Sequence, residues 1–461
     1  MEKRRKIVMP DAMVILFALL LLAWICSFII PSGQFERSDG DIEMVIPGSF
    51  TPTEAPALGF LDLFLAIQQG LIASSNLIFL VLIMGGAIAV IEQPGTINAG
   101  VKVLVDKTRH RKYVLIASVS LLFGIISAVG VGSNAVIAFI PLGIILARAL
   151  KLDAIAGVSI IYLGYFSGSA AAVFDPITLG VAQEIAGLPL FSGALFRVFI
   201  FVALSIVTIL FVIRYVKRIS DDPGQSLMGE QKFADKDMKE EDMGAFTTAH
   251  KILILYFFLC IGTFVYGSLT WGWGINELAA IFLINAIGSA LISRQSPNQF
   301  VRSFMGGAKN ILYGALIIGI ARAVVVLMEN AFILDTVVNA IFIPMSELGT
   351  IMGALAMFFF NIFFNILVPS GSGQAAVVMP MMTPLADMLG VTRQTAVIAF
   401  KLGDGITNMV TPISGVLMAV LAIGGVPFTR WIRFVMPLVF YWTVVGMLFV
   451  ILAVFIDYGP F

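Results

Sequence analysis

The sequence predicts an all-α integral membrane protein built from two related halves, and three observations carry that prediction. Of its 461 residues, 59% are hydrophobic and only 12% are charged, against about 25% charged in soluble domains. The apolar residues fall in long uncharged runs, and about 20 such residues suffice for a helix to cross the hydrocarbon layer. Polar motifs of the first half also recur in the second at a constant offset of 239 residues.

Taken in order, the chain opens with MEKRRK and an apolar stretch over residues 13–30. That stretch is longer than a usual signal-peptide core and runs into Pro31-Ser32-Gly33 without a small-residue cleavage site, so it reads as a retained first span at 12–30. Further spans are expected at 73–91, 153–186, 193–214, 252–270, 275–293, 310–328, 393–424 and 431–456, about nine in all. Two uncharged stretches, 113–147 and 348–386, are too long for one crossing and short for two. Each has a Gly/Ser-rich centre and is expected to form a helical hairpin, over 113–150 and 346–388, turning at a polar tip. Non-helical backbone at such depth requires protein or a water-filled cavity around it. Residues 215–250, of mixed charge, are expected to be a flexible cytoplasmic linker. The expected organisation is a first repeat over 1–214, the linker 215–250, an extra transmembrane helix over 251–274 and a second repeat over 275–461.

Charge placement orients this arrangement. Of 28 Lys and Arg, Arg37, Arg197 and Arg393 fall on expected outer segments and Arg322 and Lys401 within spans, which leaves 23 on the inner side. The bias predicts a cytoplasmic N-terminus and an external C-terminus.

The halves match at Gly132, Ser133, Pro141 and Gly164, which correspond to Gly371, Ser372, Pro380 and Gly403. After a small gap, Asp175-Pro176 falls near Thr411-Pro412, and Gly187-Leu188-Pro189 near Gly425-Val426-Pro427. The first hairpin is expected to enter from inside and the second from outside, so the halves are inverted, a recurring transporter design with binding at interrupted helices.

Four polar constellations would then converge: the tip Gly132-Ser133-Asn134, the tip Ser370-Gly371-Ser372-Gly373-Gln374, a break from Ser167-Gly168-Ser169 to Asp175-Pro176, and a break from Gly403-Asp404-Gly405 through Thr407-Asn408 to Thr411-Pro412. Proline removes a backbone donor and disrupts the preceding turn. The freed carbonyls suit a desolvated cation, and helix N-termini at the tips suit a carboxylate. The candidate solute-binding residues are Ser133, Asn134, Ser167, Ser169, Asp175, Ser370, Ser372, Gly373, Gln374, Asp404, Asn408 and Thr411. No metal set is assigned, although the backbone around Gly132, Gly371 and Gly403 could meet sodium, and coupling to sodium or protons is left open. Small residues at the tips also allow plain close packing of helices. Asp404 has Lys401 three residues before it on nearly the same face, so the two could neutralise each other. Arg322 could face an anionic solute or pair with Glu329 or Glu92.

Other chemistry lacks support. Net charge is zero and gives no sign of a nucleic-acid partner, and the two cysteines, Cys26 and Cys260, lie within apolar runs and read as small buried hydrophobes. His110 and His250 are the only histidines, and no GxxxxGK[ST], HExxH or GxSxG pattern occurs. An ATP-driven pump or a hydrolase is therefore not expected.

The run Ile30-Pro31-Ser32-Gly33-Gln34-Phe35, the tip Ser370-Gly371-Ser372-Gly373-Gln374-Ala375 and the run Ala399-Phe400-Lys401-Leu402-Gly403-Asp404-Gly405 through Thr411-Pro412 resemble the YfcC family. That family is grouped with the anaerobic C4-dicarboxylate carriers of the ion transporter superfamily, and the resemblance covers essentially the whole chain. It implies an elevator-type carrier of the bacterial inner membrane, usually a homodimer, with substrate at Ser133, Asn134, Ser372, Gly373 and Gln374. Related carriers have Ser-Asn-Thr at their tips, where this chain has Ser133-Asn134-Ala135 and Ser372-Gly373-Gln374. The leading expectation is secondary active transport of a small, basic amino acid by exchange or ion coupling, because Asp175 and Asp404 suit a cationic side chain. The alternatives are a C4-dicarboxylate or other organic anion, with Lys401 and Arg322 as its partners, and a solute channel.

Overall fold

Long apolar runs form helices because, without water, only an intrahelical ladder satisfies the backbone. The computed structural model describes residues 12–37, 46, 48–54, 58–96, 111–128, 136–175, 178–230, 232–233, 247–271, 273–345 and 347–459. The described helices are α1 (Ala12–Ile29), α2 (Phe60–Ala73), α3 (Ser75–Glu92), α4 (Lys112–Ala128), α5 (Val136–Ala149), α6 (Ala154–Ala171), α7 (Thr178–Ile185) and α8 (Ala194–Asp221) in the first part of the chain. In the second part they are α9 (Thr248–Trp271), α10 (Ile275–Ile292), α11 (Pro297–Asn330), α12 (Leu334–Met345), α13 (Thr350–Leu367), α14 (Gly371–Leu389), α15 (Arg393–Thr407), α16 (Gly415–Gly424) and α17 (Phe428–Phe455). Six of them, α3, α6, α8, α11, α13 and α17, are long and apolar enough to cross a membrane. The chain is an all-α, multi-pass membrane protein.

One order of elements occurs twice: two hairpin arms, a helix, a break, a half-helix and a long helix, as α4–α8 and again as α13–α17. The stretches expected as hairpins are α4 with α5 and α13 with α14. The stretches 153–186 and 393–424 are each two helices, α6 with α7 and α15 with α16. Each half-helix is stopped by a glycine in the left-handed region, Gly187 at φ 66° and Gly425 at φ 65°, which has no Cβ to resist that conformation. Pro189 and Pro427 come next.

The two sets interlock. Half-helix α7 packs on α14 and α15 of the other set, while α16 packs on α5 and α6. Helices α6 and α15 cross where a Cβ on Gly405 would collide with Ala170. Gly143 and Gly157 likewise bring the backbones of α5 and α6 together, and Gly124 and Gly168 those of α4 and α6. Small residues at crossings let van der Waals packing hold helices that gain no hydrophobic drive in lipid. Helices α1, α2 and α3 pack around the long α11, which touches the interlocked set through α16, while α10 packs on α3 and α9.

Two expected boundaries differ in the structure. Helix α11 begins at Pro297, well before the expected span 310–328, because Ser296 caps it and accepts from the Gln299 amide. The segment expected as a linker from residue 215 begins as helix: α8 runs to Asp221, and residues 222–230 and 232–233 form a strap docked on the bundle. Asp153, the N-cap of α6, accepts from the Tyr215 and Ser226 hydroxyls, both at 2.6 Å, and the Ala154 amide donates to the Lys232 carbonyl at 3.0 Å. In the segment after α1, β1 (Gly33–Gln34) and β2 (Thr51–Pro52) form a two-stranded antiparallel pair, with Gly33 opposite Pro52. The Arg37–Asp335 ion pair at 3.0 Å fastens this segment to α12. Cys260 is buried and Cys26 half-buried.

Candidate functional site

The site grows from a polar stripe on α15. Its sequence places Lys401 and Asp404 three residues apart, on one face of the helix. Lys401 Nζ donates to Asp404 Oδ2 at 2.8 Å and to Thr178 Oγ1 at 2.7 Å, and it lies 3.8 Å from Asp175 Oδ2. Thr178 donates a hydrogen bond from its hydroxyl to Asp175 Oδ2 and one from its amide to Asp175 Oδ1 at 3.2 Å, so Asp175 caps the start of α7. Lys401 is 1% and Asp404 4% exposed. The group holds two carboxylates against one ammonium, a formal charge of −1.

The other Asp404 oxygen extends the network to the second hairpin. Asp404 Oδ1 accepts from Asn365 Nδ2 at 3.0 Å and from Asn408 Nδ2 at 2.8 Å. Asn365 Nδ2 also donates to Gln374 Oε1 at 2.7 Å, and Gln374 Nε2 donates to Asn361 Oδ1 at 2.8 Å. Asn361 and Asn365 sit one turn apart on α13, so both face α14 and α15. Among the described residues, Asn365 Oδ1 is buried without a hydrogen-bond partner, and such an acceptor carries a desolvation cost until something meets it. Ser370 caps α14, accepting from the Gly373 amide at 3.3 Å. Gly371 sits against Thr178 and Asp404, where a Cβ would collide with the threonine methyl. The N-terminal end of α14 thus meets the start of α7 beside the carboxylate of Asp404.

The breaks themselves are clamped. In the first, Ala172 adopts a left-handed φ of 45°. Arg197, 1% exposed on α8, donates to the carbonyls of Ala172 at 3.1 Å, Val173 at 3.3 Å, Phe191 at 3.1 Å and Ser192 at 2.7 Å. In the second, the Asn408 carbonyl accepts from Tyr162 Oη at 2.8 Å and the Met409 carbonyl from Trp431 Nε1 at 2.9 Å. The break carbonyls of Ala172, Val173, Asn408 and Met409, expected to be free for a cation, are held by protein donors. Among the described residues no group of three or more His, Cys, Asp or Glu is placed to hold a metal.

Of the candidate residues, the structure brings Asp175, Gln374, Asp404 and Asn408 into one network, with Ser370, Ser372 and Gly373 at the adjoining helix end. It leaves others apart. Ser167 and Ser169 lie inside continuous α6 rather than in its break. The Ser167 hydroxyl meets Ser205 Oγ at 3.0 Å, facing α8. Thr411 closes a local turn, accepting from the Ile413 amide at 3.4 Å. Gly403 is a packing point against Asn361. Gly132, Ser133, Asn134 and Pro176 lie outside the described residues. Arg322, half-buried, pairs with the exposed Glu329 at 3.3 Å.

Sequence reasoning did not select Asn361, Asn365, Thr178, Tyr162, Arg197 or Trp431. Two signals were available for the asparagines and the threonine: the i, i+4 asparagine pair within an otherwise apolar α13, and Thr178 three residues after Asp175.

A family model described as C4-dicarboxylate anaerobic carrier (DcuC) matches residues 9–455. A protein of Escherichia coli K12 named "Putative basic amino acid antiporter YfcC" is 30% identical, covering 98% of this chain and 96% of that one. An uncharacterized protein of Haemophilus influenzae is 28% identical over 98% of each chain. Among solved structures, the Alcanivorax borkumensis YdaH transporter aligns over 98% of this chain and 100% of its own, with 14% identity and a TM-score of 0.43. Neisseria gonorrhoeae MtrF, described with a class of antimetabolite efflux pumps, aligns over 98% and 96%, with 16% identity and a TM-score of 0.41. At those scores the likeness carries no weight for fold or mechanism.

Proposed function

Because the chain belongs to the DcuC family of C4-dicarboxylate anaerobic carriers, we propose that it carries a small dicarboxylate or related organic anion, bound beside the Asp175–Thr178–Lys401–Asp404 cluster. At the coarser level the protein is a secondary-active membrane transporter of small solutes and not an enzyme. The observation that carries the reading is the meeting of the α14 N-terminus, the α7 N-terminus and the buried cluster at one place. Helix N-termini favour carboxylates through their unpaired amides and dipoles.

The formal charge of the cluster adds a consequence. A dianion set beside a group of net −1 brings three negative charges together, and buried like charges repel strongly at low dielectric. Cations or protons must enter with it, so uptake is ion-coupled or proceeds by exchange. One observation favours a second reading: with Lys401 already held by Asp404 and Thr178, the net negative charge suits the side chain of a basic amino acid, the solute named for the Escherichia coli relative.

The twice-used element order and the reciprocal docking of α7 and α16 support inverted halves, with α4–α8 and α13–α17 moving as an elevator against α1–α3 and α9–α11. The distribution of Lys and Arg supports a cytoplasmic N-terminus and an external C-terminus in the inner membrane. A homodimer follows from the family resemblance and is tested by the mass of the purified detergent complex.

Uptake of labelled succinate and of labelled arginine into proteoliposomes, with and without a sodium or proton gradient and with preloaded solute, tests the function. Gradient- or exchange-dependent succinate uptake with no arginine uptake is the expected result. Arginine uptake alone, driven by internal ornithine or arginine, would replace the first reading with the second. Fast, gradient-independent flux of both would indicate a channel.

A further inference from the structure

Away from the polar cluster, three arginines converge at one place on the flank of the bundle. Arg214 and Arg218 lie one turn apart near the end of α8, and Arg433 lies in the second turn of α17. They line a half-open cavity of about 460 Å³ whose floor includes Phe211 and Phe434. The floor is aromatic and packed: the Phe211 and Phe434 rings stand 5.1 Å apart, and Tyr215 meets Phe434 at 4.8 Å.

Arg214 and Arg433 are exposed, and among the described residues neither has a hydrogen-bond or ion-pair partner. Arg218 lies over the Tyr215 ring at 5.4 Å and donates to the Gln225 carbonyl at 3.4 Å. The carboxylates closest in sequence are Asp221 and Asp222, and Asp222 is engaged by the Gly224 amide and the Gln225 side chain. Toward the middle of the same two helices the surface turns apolar. Val202, Ile206 and Leu210 on α8 and Val444, Leu448 and Leu452 on α17 are exposed, as helices facing lipid require.

A cationic mouth, an aromatic floor and an apolar stripe leading from it match the headgroup, the glycerol region and the acyl chains of one kind of molecule. We propose that this cavity binds an anionic phospholipid, with its phosphate held by Arg214 and Arg433, Arg218 at the rim, and its chains along α8 and α17. The planar guanidinium fork is suited to bidentate phosphate binding, and basic pockets between transmembrane helices on the inner side accept acidic headgroups. A fully soluble anion would use the arginines but not the stripe. The site is separate from the solute cluster and does not depend on which solute the protein carries.

Native mass spectrometry of the full-length protein, released from mixed micelles of phosphatidylcholine and phosphatidylglycerol, reads the inference directly. The wild type should retain phosphatidylglycerol over phosphatidylcholine by roughly tenfold or more, the order expected when two arginines meet an anionic headgroup. The variant R214Q/R433Q should lose most of that preference, and R214K/R433K, which keeps the charge without the forks, should fall between. R302Q/K309Q, which removes exposed cations from α11, should match the wild type. Equal retention of both lipids by the wild type would overturn the proposal, as would an unchanged preference in R214Q/R433Q. Displacement of phosphatidylglycerol by millimolar inorganic phosphate would assign the site to a soluble anion and overturn it as well. Should R214Q/R433Q not fold, the wild-type lipid competition decides alone.

Discussion

Arg197 and Trp431 stand at the same, fourth, position of α8 and α17, and each donates to backbone carbonyls of the break that precedes its helix. The two chemistries differ, one guanidinium serving four carbonyls and one indole serving one, but the task is shared. A helix interrupted inside a membrane leaves carbonyls that water cannot reach, and a donor from the next helix meets them. Both side chains are almost completely buried.

The Trp431→Phe variant keeps the ring and removes the donor, leaving the Met409 carbonyl unmet. It should cost about 1–3 kcal/mol, the penalty for one buried unsatisfied acceptor, read as a lower midpoint in thermal unfolding of the detergent complex. Arg197→Met strips four carbonyls and should lower the midpoint further. An unchanged midpoint in both variants would show that the breaks do not need their clamps.

Lys401→Met leaves Asp404 and Asp175 facing each other without their cation. Removing one member of a buried pair costs about 3–5 kcal/mol, so the variant should be strongly destabilised. Adding Asp404→Asn to it should restore part of that loss, with a coupling of about 0.5–3 kcal/mol between the two positions. Strictly additive losses in a double-mutant cycle would mean that the 2.8 Å contact contributes nothing.

Asp404→Asn by itself keeps the side-chain shape and the partners on its Oδ1 side while removing the charge. On the proposed function it should reduce labelled solute uptake at least tenfold, equivalent to about 1.4 kcal/mol, with the protein still monodisperse. Full uptake with unaltered ion dependence would remove this carboxylate from the mechanism.

Gly405→Val places side-chain atoms against Ala170, where α6 crosses α15. Both helices carry fixed partners, so neither can retreat, and overpacking of about 1–3 kcal/mol results. Gly262→Ala on α9, where nothing lies within 4 Å of the added carbon, should be neutral or slightly stabilising. Comparable losses in the two would place the effect in the helix backbone rather than at the crossing.

At the exposed end of α14, hydrogen bonding from Arg393, with burial opposing it and the charge of Arg393 adding to it, holds the Asp387 carboxyl below its usual range. A depressed folded value means stability that is present above the unfolded carboxylate value and lost as pH falls through the folded one. Since both side chains are more than two-fifths exposed, the loss should stay within about 1 kcal/mol. Unfolding midpoints of wild type and Asp387→Asn should therefore differ slightly at neutral pH and converge in acid; a gap that persists below the carboxylate range would argue against the pair as its source.

Much of the architecture was legible because its causes are local. Uncharged runs set the helices, Gly187 and Gly425 end the half-helices, and both act within a few residues of where they stand. The Lys401–Asp404 pair was legible for the same reason, being three residues apart on one helix. The docked strap after Asp221 was not, because its partners, Asp153 and Arg430, lie far away in sequence.

Residue order alone therefore determines a multi-pass, all-α membrane chain and carries the expectation of two similar halves. Which polar groups meet is a matter of three-dimensional packing. Thr178 reaches Lys401 across 223 residues, Tyr162 reaches Asn408 across 246, and Ser167 turns away to Ser205. Helical periodicity fixes which residues share a face, but the partner of that face depends on crossing points such as Gly405 on Ala170, where two backbones come close enough to leave room for nothing else.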